Sequence, residues 1–336
     1  MKPIPFAVAI LFALNGCNNA STPTKPFVVE QPSTSLVVPT VPTVAVAPKP
    51  KKPISLAKMR EGFKTKLTAK PSAKVAVATP PTNVLRTVKY DAPVGKLAAY
   101  LSLDPKDGKK HPAMIWITGG DCNSIDEGCW QEGPPNNEQS ASAYRKAGMI
   151  VMFPSLRGGN DNPGTKESFL GEVDDVIAAH EYLSKQDFVD PNRIYLGGHS
   201  TGGTLALLVA ECSDRFRAVF SFGPAHDVCG YDPKFLTFNS RNMTEIIMRS
   251  PGTWIASIKT PTFVIEGDDE GNMESLEFMA KQPTNPNAHF LTIHGGNHTN
   301  ILATTNRTIA GKISRDTGPT CNITITDDEV KNSYAK

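Results

Sequence analysis

The sequence predicts an α/β fold, with a mostly parallel sheet of roughly eight strands and helices on both faces. Short apolar runs alternate with longer helix-favouring runs, which is the pattern of strands connected by helices that cover the sheet. Glycine and polar residues cluster directly after several of the apolar runs. Because ligands bind at the carboxyl edge of open parallel sheets, these clusters predict a functional site there.

The composition is that of a globular protein and favours no polyanionic partner. The chain has 336 residues, of which 39% are hydrophobic and 20% are charged, and its formal net charge is +2. A hydrophobic fraction of this size supplies a substantial core. A net charge close to zero gives no reason to expect nucleic acid as a partner.

The predicted strands follow from the short apolar runs, and the predicted helices follow from the longer helix-favouring runs between them. Strands are predicted where the runs are β-branched or continuously apolar, at 84–90, 96–103, 113–118, 149–155, 193–198, 218–223, 262–267 and 289–296. Helices are predicted at 139–146, 172–185, 201–212, 273–281 and 298–313. The connection at 224–259, after the sixth strand, is longer than usual and is expected to form a small insertion over the site.

The first residues predict export and attachment to a membrane. A lysine and a short apolar run precede "LNGC", which resembles the lipobox of bacterial lipoprotein signals, so residues 1–16 are expected to be a signal peptide and Cys17 to carry lipid. The expected location is the bacterial cell envelope. Proline and threonine dominate 17–55, which predicts an extended tether.

The boundaries of the other segments are placed where the pattern of apolar and polar residues changes. A helix and loop are expected over 56–83, an α/β domain over 84–320 and a C-terminal tail over 321–336. Cys122 and Cys129 lie in one loop and could pair in an oxidising compartment, whereas Cys212 is expected to be a buried free thiol.

A candidate nucleophile lies between the fifth strand and the next helix. The sequence "GGHSTGG" places Ser200 in a G-x-S-x-G turn. This strand-turn-helix arrangement exposes the serine hydroxyl above the sheet and directs a helix N-terminus at the atom it attacks. The pattern predicts that Ser200 is a catalytic nucleophile.

A nucleophilic serine needs a base and a group that orients the base. His298 follows the last strand in "GGNH" and is the predicted base. The acid is expected after the preceding strand, in "EGDDEGN", where spacing favours Glu270 and leaves Asp269 and Asp268 as alternatives. The oxyanion donors are predicted to be the N–H groups of Thr201 and Gly120.

Several further stretches resemble the catalytic domain of the prolyl oligopeptidase family, within the α/β-hydrolases. The similarity runs from about residue 84 to about residue 313 and includes "SLRGGNDNPG", "VDPNRIYLGGHSTGG" and "MRSPGTWIASIKTPTFVIEGDDE". The resemblance implies an eight-stranded sheet and serine-dependent hydrolysis of amides or esters. Two departures leave room for an esterase: a tether is expected where family peptidases carry a β-propeller, and Thr118 occupies a position where some members have tyrosine or histidine.

The predicted function is therefore a serine hydrolase that cleaves a small peptide or ester through an acyl-enzyme. A carboxylesterase or broad acyl hydrolase is one alternative, and a non-catalytic lipoprotein that uses the fold as a binding module is another. No metal or organic cofactor is expected, because no metal-ligand spacing is present and the mechanism needs none. The expected partners are the substrate and, through the lipid, a membrane, with no nucleic acid.

Overall fold

A computed structural model describes residues 54–71 and 73–334, and within them eight strands form one sheet. The order across the sheet is β1-β2-β4-β3-β5-β6-β7-β8, in which β1, β2 and β4 pair antiparallel and all other neighbours pair parallel. The strands are β1 Leu85–Ala92, β2 Gly95–Ser102, β3 His111–Ile117, β4 Ile150–Pro154, β5 Val189–His199, β6 Val219–Phe222, β7 Thr262–Gly267 and β8 Ala288–Ile293. The predicted α/β class and its eight strands are confirmed.

Eight α-helices accompany these strands in the described residues. They are α1 Leu56–Arg60, α2 Ser142–Lys146, α3 Glu172–Leu183, α4 Thr201–Cys212, α5 Met243–Ile247, α6 Met273–Ala280, α7 Ile301–Arg315 and α8 Asp327–Tyr334. The helix after Ser200 has the predicted bounds. The other predicted helices are also present, with ends that differ by a few residues.

The start of α7 matters for the site. Asn297 delays the start of the helix, because its side-chain oxygen accepts hydrogen bonds from the N–H groups of Thr299 (3.1 Å) and Asn300 (2.9 Å). Such a local side-chain bond competes with helix formation. His298, which the sequence pattern placed at the start of the helix, therefore lies in the loop before it.

The two faces of the sheet bury separate apolar clusters. On one face α3 and α4 pack against the sheet together with the segment after β6, and on the other face α2, α7 and α8 do so. The interior strand β4 is buried along its whole length, which explains its uninterrupted apolar sequence. This two-sided covering leaves the carboxyl ends of the strands as the edge where loops meet.

The segment before β1 packs on the domain as well. In α1 the Leu56 side chain is completely buried, Leu67 forms an isolated antiparallel bridge with Phe238, and the Thr65 hydroxyl hydrogen-bonds the Glu245 carboxylate. The helix expected in this segment is limited to five residues. The rest of 54–71 is held by contacts with the insertion.

The insertion after β6 consists of short helical turns and α5 rather than a separate layer. Its 3₁₀ turns cover Pro251–Thr253 and Ile255–Ser257, close to α4. Part of the predicted tail, 321–336, contributes to the core instead: Ile323, Ile325 and Val330 are buried in the cluster that contains α7.

The predictions for the N-terminal segments and for the cysteines can now be compared with the structure. The predicted signal peptide, the predicted lipid site Cys17 and nearly all of the predicted tether lie outside the described residues. Within the described part, no helix combines the length and the apolar character that crossing a membrane requires. Cys122 and Cys129 are both free and buried, so the suggested disulfide is not formed, while Cys212 is free and partly buried.

Candidate active site

Ser200 lies at the apex of the turn between β5 and α4. Its backbone has φ 57° and ψ −117°, a conformation that residues with a side chain rarely adopt. The Ser200 N–H donates to the Phe222 carbonyl (2.8 Å), and its carbonyl accepts from the Thr204 N–H (2.9 Å). The strain is thus held by both the neighbouring strand and the helix, as is common at functional sites.

Two glycines make this tight turn sterically feasible. A Cβ atom on Gly198 would lie 2.3 Å from the Gly202 carbonyl oxygen, and a Cβ atom on Gly202 would lie 2.3 Å from the Ile117 carbonyl oxygen. Larger residues would separate the strand from the helix. With glycine at both positions, α4 begins directly after Ser200, and its unpaired N–H groups favour negative charge at that point.

His298 is oriented by a buried carboxylate, that of Glu266. The Nδ1 atom of His298 lies 2.8 Å from Oε2 of Glu266, whose side chain is fully buried at the end of β7. The same carboxylate accepts hydrogen bonds from the N–H groups of Gly267 (2.8 Å) and Asn272 (3.0 Å). Because an ionised carboxylate only accepts hydrogen bonds, the Nδ1–H tautomer of His298 is the one that fits this contact, and it leaves Nε2 with a free lone pair.

Two glycines in the left-handed region enclose this pair. A Cβ atom on Gly223 (φ 57°) would lie 2.4 Å from Cε1 of His298 and 2.8 Å from Oε2 of Glu266. A Cβ atom on Gly271 (φ 132°) would lie 3.0 Å from the same carboxylate oxygen. The Asn272 side chain donates to the Gly223 carbonyl (2.7 Å), which ties the two loops together.

The predicted acid, Glu270, and its two alternatives are corrected by this geometry. Glu270 is exposed and contacts His298 through its backbone carbonyl, which accepts from the His298 N–H (3.2 Å). Asp268 hydrogen-bonds His294 (2.6 Å) and the Gly295 N–H (2.7 Å), and the N–H of the exposed Asp269 donates to a loop carbonyl. These three residues position the histidine loop by short-range contacts, while the carboxylate that reaches the imidazole is Glu266.

The sequence did contain a signal for Glu266. In "TFVIEG" it is the one charged residue of a strand whose six residues are all buried. Burying a carboxylate is costly unless a partner compensates it. Counting positions beyond the closing Gly267 missed this residue, because the acid stands one position before that glycine.

The predicted oxyanion residues lie next to each other. The Thr201 hydroxyl donates to the Gly120 carbonyl (2.9 Å), so the loop after β3 is fixed to the turn that carries Ser200. Gly120 has φ 71°, and no atom lies within 4 Å of the position a Cβ would take. The backbone at Gly120 therefore borders open space beside Ser200.

His199 contributes a contact that the sequence did not indicate. Its Nε2 atom lies 2.8 Å from the His298 carbonyl oxygen, and its Nδ1 atom lies 3.1 Å from the Gln139 side-chain amide. Burial, and to a smaller extent the nearby His298, lowers the pKa of His199 to about 4. A neutral His199 ring therefore donates to the backbone of His298 and holds it over the turn.

Ser200 and His298 line one cleft of about 460 Å³, together with Thr118, Gly120 and Asp121. Within the described residues no hydrogen bond joins the Ser200 hydroxyl to the imidazole. Such contacts often shorten only when substrate binds. Across residues 54–71 and 73–334, no group of three or more His, Cys, Asp or Glu side chains is arranged to hold a metal ion.

Comparison with known proteins gives a family for this chain. The model of the prolyl oligopeptidase family matches residues 136–312, which is more than half of the sequence. Prolyl oligopeptidase A of Amanita bisporigera is 34% identical over 79 residues, covering 22% of this chain and 10% of that protein. Dipeptidyl peptidase 8 of Mus musculus is 30% identical over 139 residues, covering 37% of this chain and 15% of that protein.

A solved structure shows the same fold. The puromycin-hydrolyzing peptidase of Mycobacterium tuberculosis superposes with a TM-score of 0.56 at 17% identity, covering 70% of this chain and 40% of that one. The chain thus spans a small part of the first curated relatives it matches, a tenth in the case of the Amanita protein. From the family model and the fold together, the chain belongs to the prolyl oligopeptidase family.

Proposed function

We propose that this protein is a serine hydrolase that cleaves peptide or ester bonds through an acyl-enzyme, with serine peptidase activity as its principal reaction. The observation that carries the proposal is the convergence of Ser200 and His298 in one cleft, with His298 oriented by the buried Glu266. Membership of a peptidase family supports the same reaction class.

The proposed first step is attack of Ser200 on the substrate carbonyl carbon. His298 Nε2 takes the hydroxyl proton, and the new C–O bond displaces electrons onto the carbonyl oxygen. Glu266 keeps the proton on Nδ1 and stabilises the imidazolium that forms, because its carboxylate is buried beside that nitrogen. His298 then gives its proton to the leaving amine or alcohol as the C–N or C–O bond breaks.

The negative oxygen is expected to bind the N–H groups of Thr201 and Gly120. The first N–H belongs to the start of α4, and the second belongs to the loop that Thr201 fixes by its hydroxyl. In the second half of the reaction a water molecule, deprotonated by His298, attacks the acyl-enzyme. Release of the acid returns Ser200 to its free form.

Covalent labelling tests the mechanism independently of substrate. We expect a fluorophosphonate probe to label the wild-type chain at Ser200, to label Ser200→Ala not at all, and to label His298→Ala much more slowly. Labelling of the wild type that persists in Ser200→Ala would contradict the proposed nucleophile. No labelling of folded wild type would favour a binding module that has lost catalysis.

Turnover of two substrate classes separates a peptidase from an esterase. Glycyl-prolyl and alanyl-prolyl 4-nitroanilides are compared with 4-nitrophenyl acetate, with Ser200→Ala as the control. Anilide hydrolysis that disappears in the variant would support the peptidase. Ester hydrolysis alone would support the esterase alternative, with which Thr118 beside the cleft is consistent.

We also propose that the protein is exported and anchored through lipid on Cys17. The support is the short apolar run that ends in "LNGC" and the proline-rich stretch that follows it. Metabolic labelling with a palmitate analogue in a bacterial host tests this. Label on the wild-type chain that is lost in Cys17→Ser would support the anchor, and an unlabelled, unprocessed chain would contradict it.

A further inference from the structure

A second cavity of about 490 Å³ adjoins the nucleophile cleft. Gly120 and Asp121 line both spaces, so the two meet at the loop that carries the predicted oxyanion donor. We call this second space the side cavity. Its walls come from four parts of the chain: the loop that carries Gly120 and three segments represented by Lys70, Lys166 and Lys234.

The side cavity has an excess of positive charge. Among the described residues that line it, three are lysines and the single carboxylate is Asp121. Lys166 pairs with Asp121 (Nζ to Oδ1, 2.7 Å), whereas neither Lys70 nor Lys234 pairs with a carboxylate of the described chain. Two ammonium groups are therefore left to attract an anion into a cleft whose walls concentrate the field.

The floor of the side cavity is rigid. The buried Ser168 hydroxyl donates to the Phe235 carbonyl (2.9 Å) and accepts from the Thr237 N–H (2.9 Å). Ser168 and the following Phe169 both have positive φ, 49° and 79°, although neither is glycine. Consecutive strained residues persist only where their surroundings enforce them, and such strain is frequent at binding sites.

The position of the side cavity indicates which half of the substrate it faces. The leaving group must receive a proton from His298, and His298 lines the nucleophile cleft but not the side cavity. The acyl half stays attached to Ser200 beside the oxyanion donors. The side cavity, which Gly120 borders and His298 does not line, is therefore the space available to the acyl half.

We propose that the side cavity binds a carboxylate on the acyl half of the substrate. The preferred peptide then has a glutamate or aspartate immediately before the bond that is cleaved, and the preferred ester has an acidic acyl group. This inference rests on the proposed function. Ammonium groups recognise such a carboxylate as point charges with several donors.

Two substrates that differ only in charge test the inference on the full chain. They are the 4-nitrophenyl α-esters of N-acetylglutamate and N-acetylglutamine, and 4-nitrophenyl acetate is the reference. We expect the glutamyl ester to have a kcat/KM about tenfold higher at low salt, because two exposed charges each contribute modestly. The ratio should fall toward one as added salt screens the lysines.

The variant Lys70→Met/Lys234→Met should reduce the glutamyl-to-glutaminyl ratio to about one. The matched control is Lys89→Met/Lys185→Met, which removes two exposed lysines that do not line the side cavity. The control should keep the wild-type ratio.

Three results would overturn the inference. The first is a wild-type ratio at or below one, and the second is an equal change in the control variant. The third is failure to cleave either amino acid ester while acetate is cleaved. If Ser200 is neither labelled nor able to turn over acetate, the proposed function itself fails, and the inference falls with it.

Discussion

The Oε2 atom of Glu266 lies 2.8 Å from Nδ1 of His298, whereas Glu270 meets the same histidine only through its backbone carbonyl. The two contacts place different demands on the side chains. Glu266 must be a carboxylate to hold the proton on Nδ1, since an amide could present its NH₂ group and reverse the tautomer. Glu270 needs only its backbone.

The first prediction compares these two acids. We expect Glu266→Gln to lower kcat by about three to four orders of magnitude, as loss of the orienting carboxylate does in serine hydrolases. Glu270→Gln should stay within about threefold of wild type, because its exposed side chain is replaceable. The measurement is kcat for 4-nitrophenyl acetate, with circular dichroism as the control for folding. A loss in Glu270→Gln as large as that in Glu266→Gln would contradict the assignment.

The second prediction concerns Gly223, whose Cβ position lies 2.4 Å from the His298 ring. Gly223→Ala should displace the imidazole and reduce kcat by at least about tenfold, because a misplaced catalytic group loses its alignment. Gly295→Ala is the matched control, since Gly295 also has positive φ (75°) but has no atom within 4 Å of the Cβ position.

Backbone strain at a positive φ should lower the free energy of unfolding of both glycine variants by a similar amount, about 1 kcal/mol. Only Gly223→Ala should also lose activity. Fluorescence-monitored urea unfolding and ester turnover on the same samples separate the two effects. Equal activity losses would show that backbone strain alone governs the site.

The sheet could be predicted from the sequence, because buried parallel strands have a distinct, continuously apolar pattern. The sequence was also sufficient to bring Ser200 and His298 to one edge, since both lie in loops that follow strands. The role of Glu266 was not predicted from the sequence, because this residue lies within an apolar run of core residues. Contacts such as that between His199 and the His298 carbonyl depend on how two distant loops pack, and no local pattern encodes that.

The third prediction concerns Glu211, which is 2% exposed on α4. Neither of its carboxyl oxygens has a hydrogen-bond partner within the described residues, and burial raises its pKa well above the ordinary value. Glu211→Leu should therefore stabilise the fold by about 1–3 kcal/mol, because a buried polar group without partners is removed.

The sign of the pH dependence makes this prediction specific. An acid whose pKa is raised by folding binds more protons in the folded state, so its contribution to stability declines as pH rises above the unfolded value of about 4.3. The gain in Glu211→Leu should be larger at pH 8 than at pH 4. Urea unfolding at both values measures it, and a gain that does not depend on pH would contradict the burial argument.

The last prediction concerns His180, a buried residue of α3 whose ring meets Phe216 edge-on at 4.9 Å between centroids. Burial, and to a smaller extent Arg215, lowers the pKa of His180 to about 4. A histidine with a lowered pKa binds fewer protons in the folded state than in the unfolded state. Its contribution to stability is therefore complete above pH about 6.5 and is lost as pH falls toward 4.

His180→Phe keeps the aromatic contact and removes this titration. The measured quantity is the free energy of unfolding of the variant minus that of the wild type. It should be on the order of 2 kcal/mol larger at pH 5 than at pH 8. His111→Phe is the control, because His111 lies beside Asp107 at the surface end of β3 and is only partly buried. Because His199 also has a lowered pKa, part of the acid sensitivity should remain in His180→Phe. A variant whose stability changes with pH in parallel with wild type would show that His180 is not the group that links acid to unfolding.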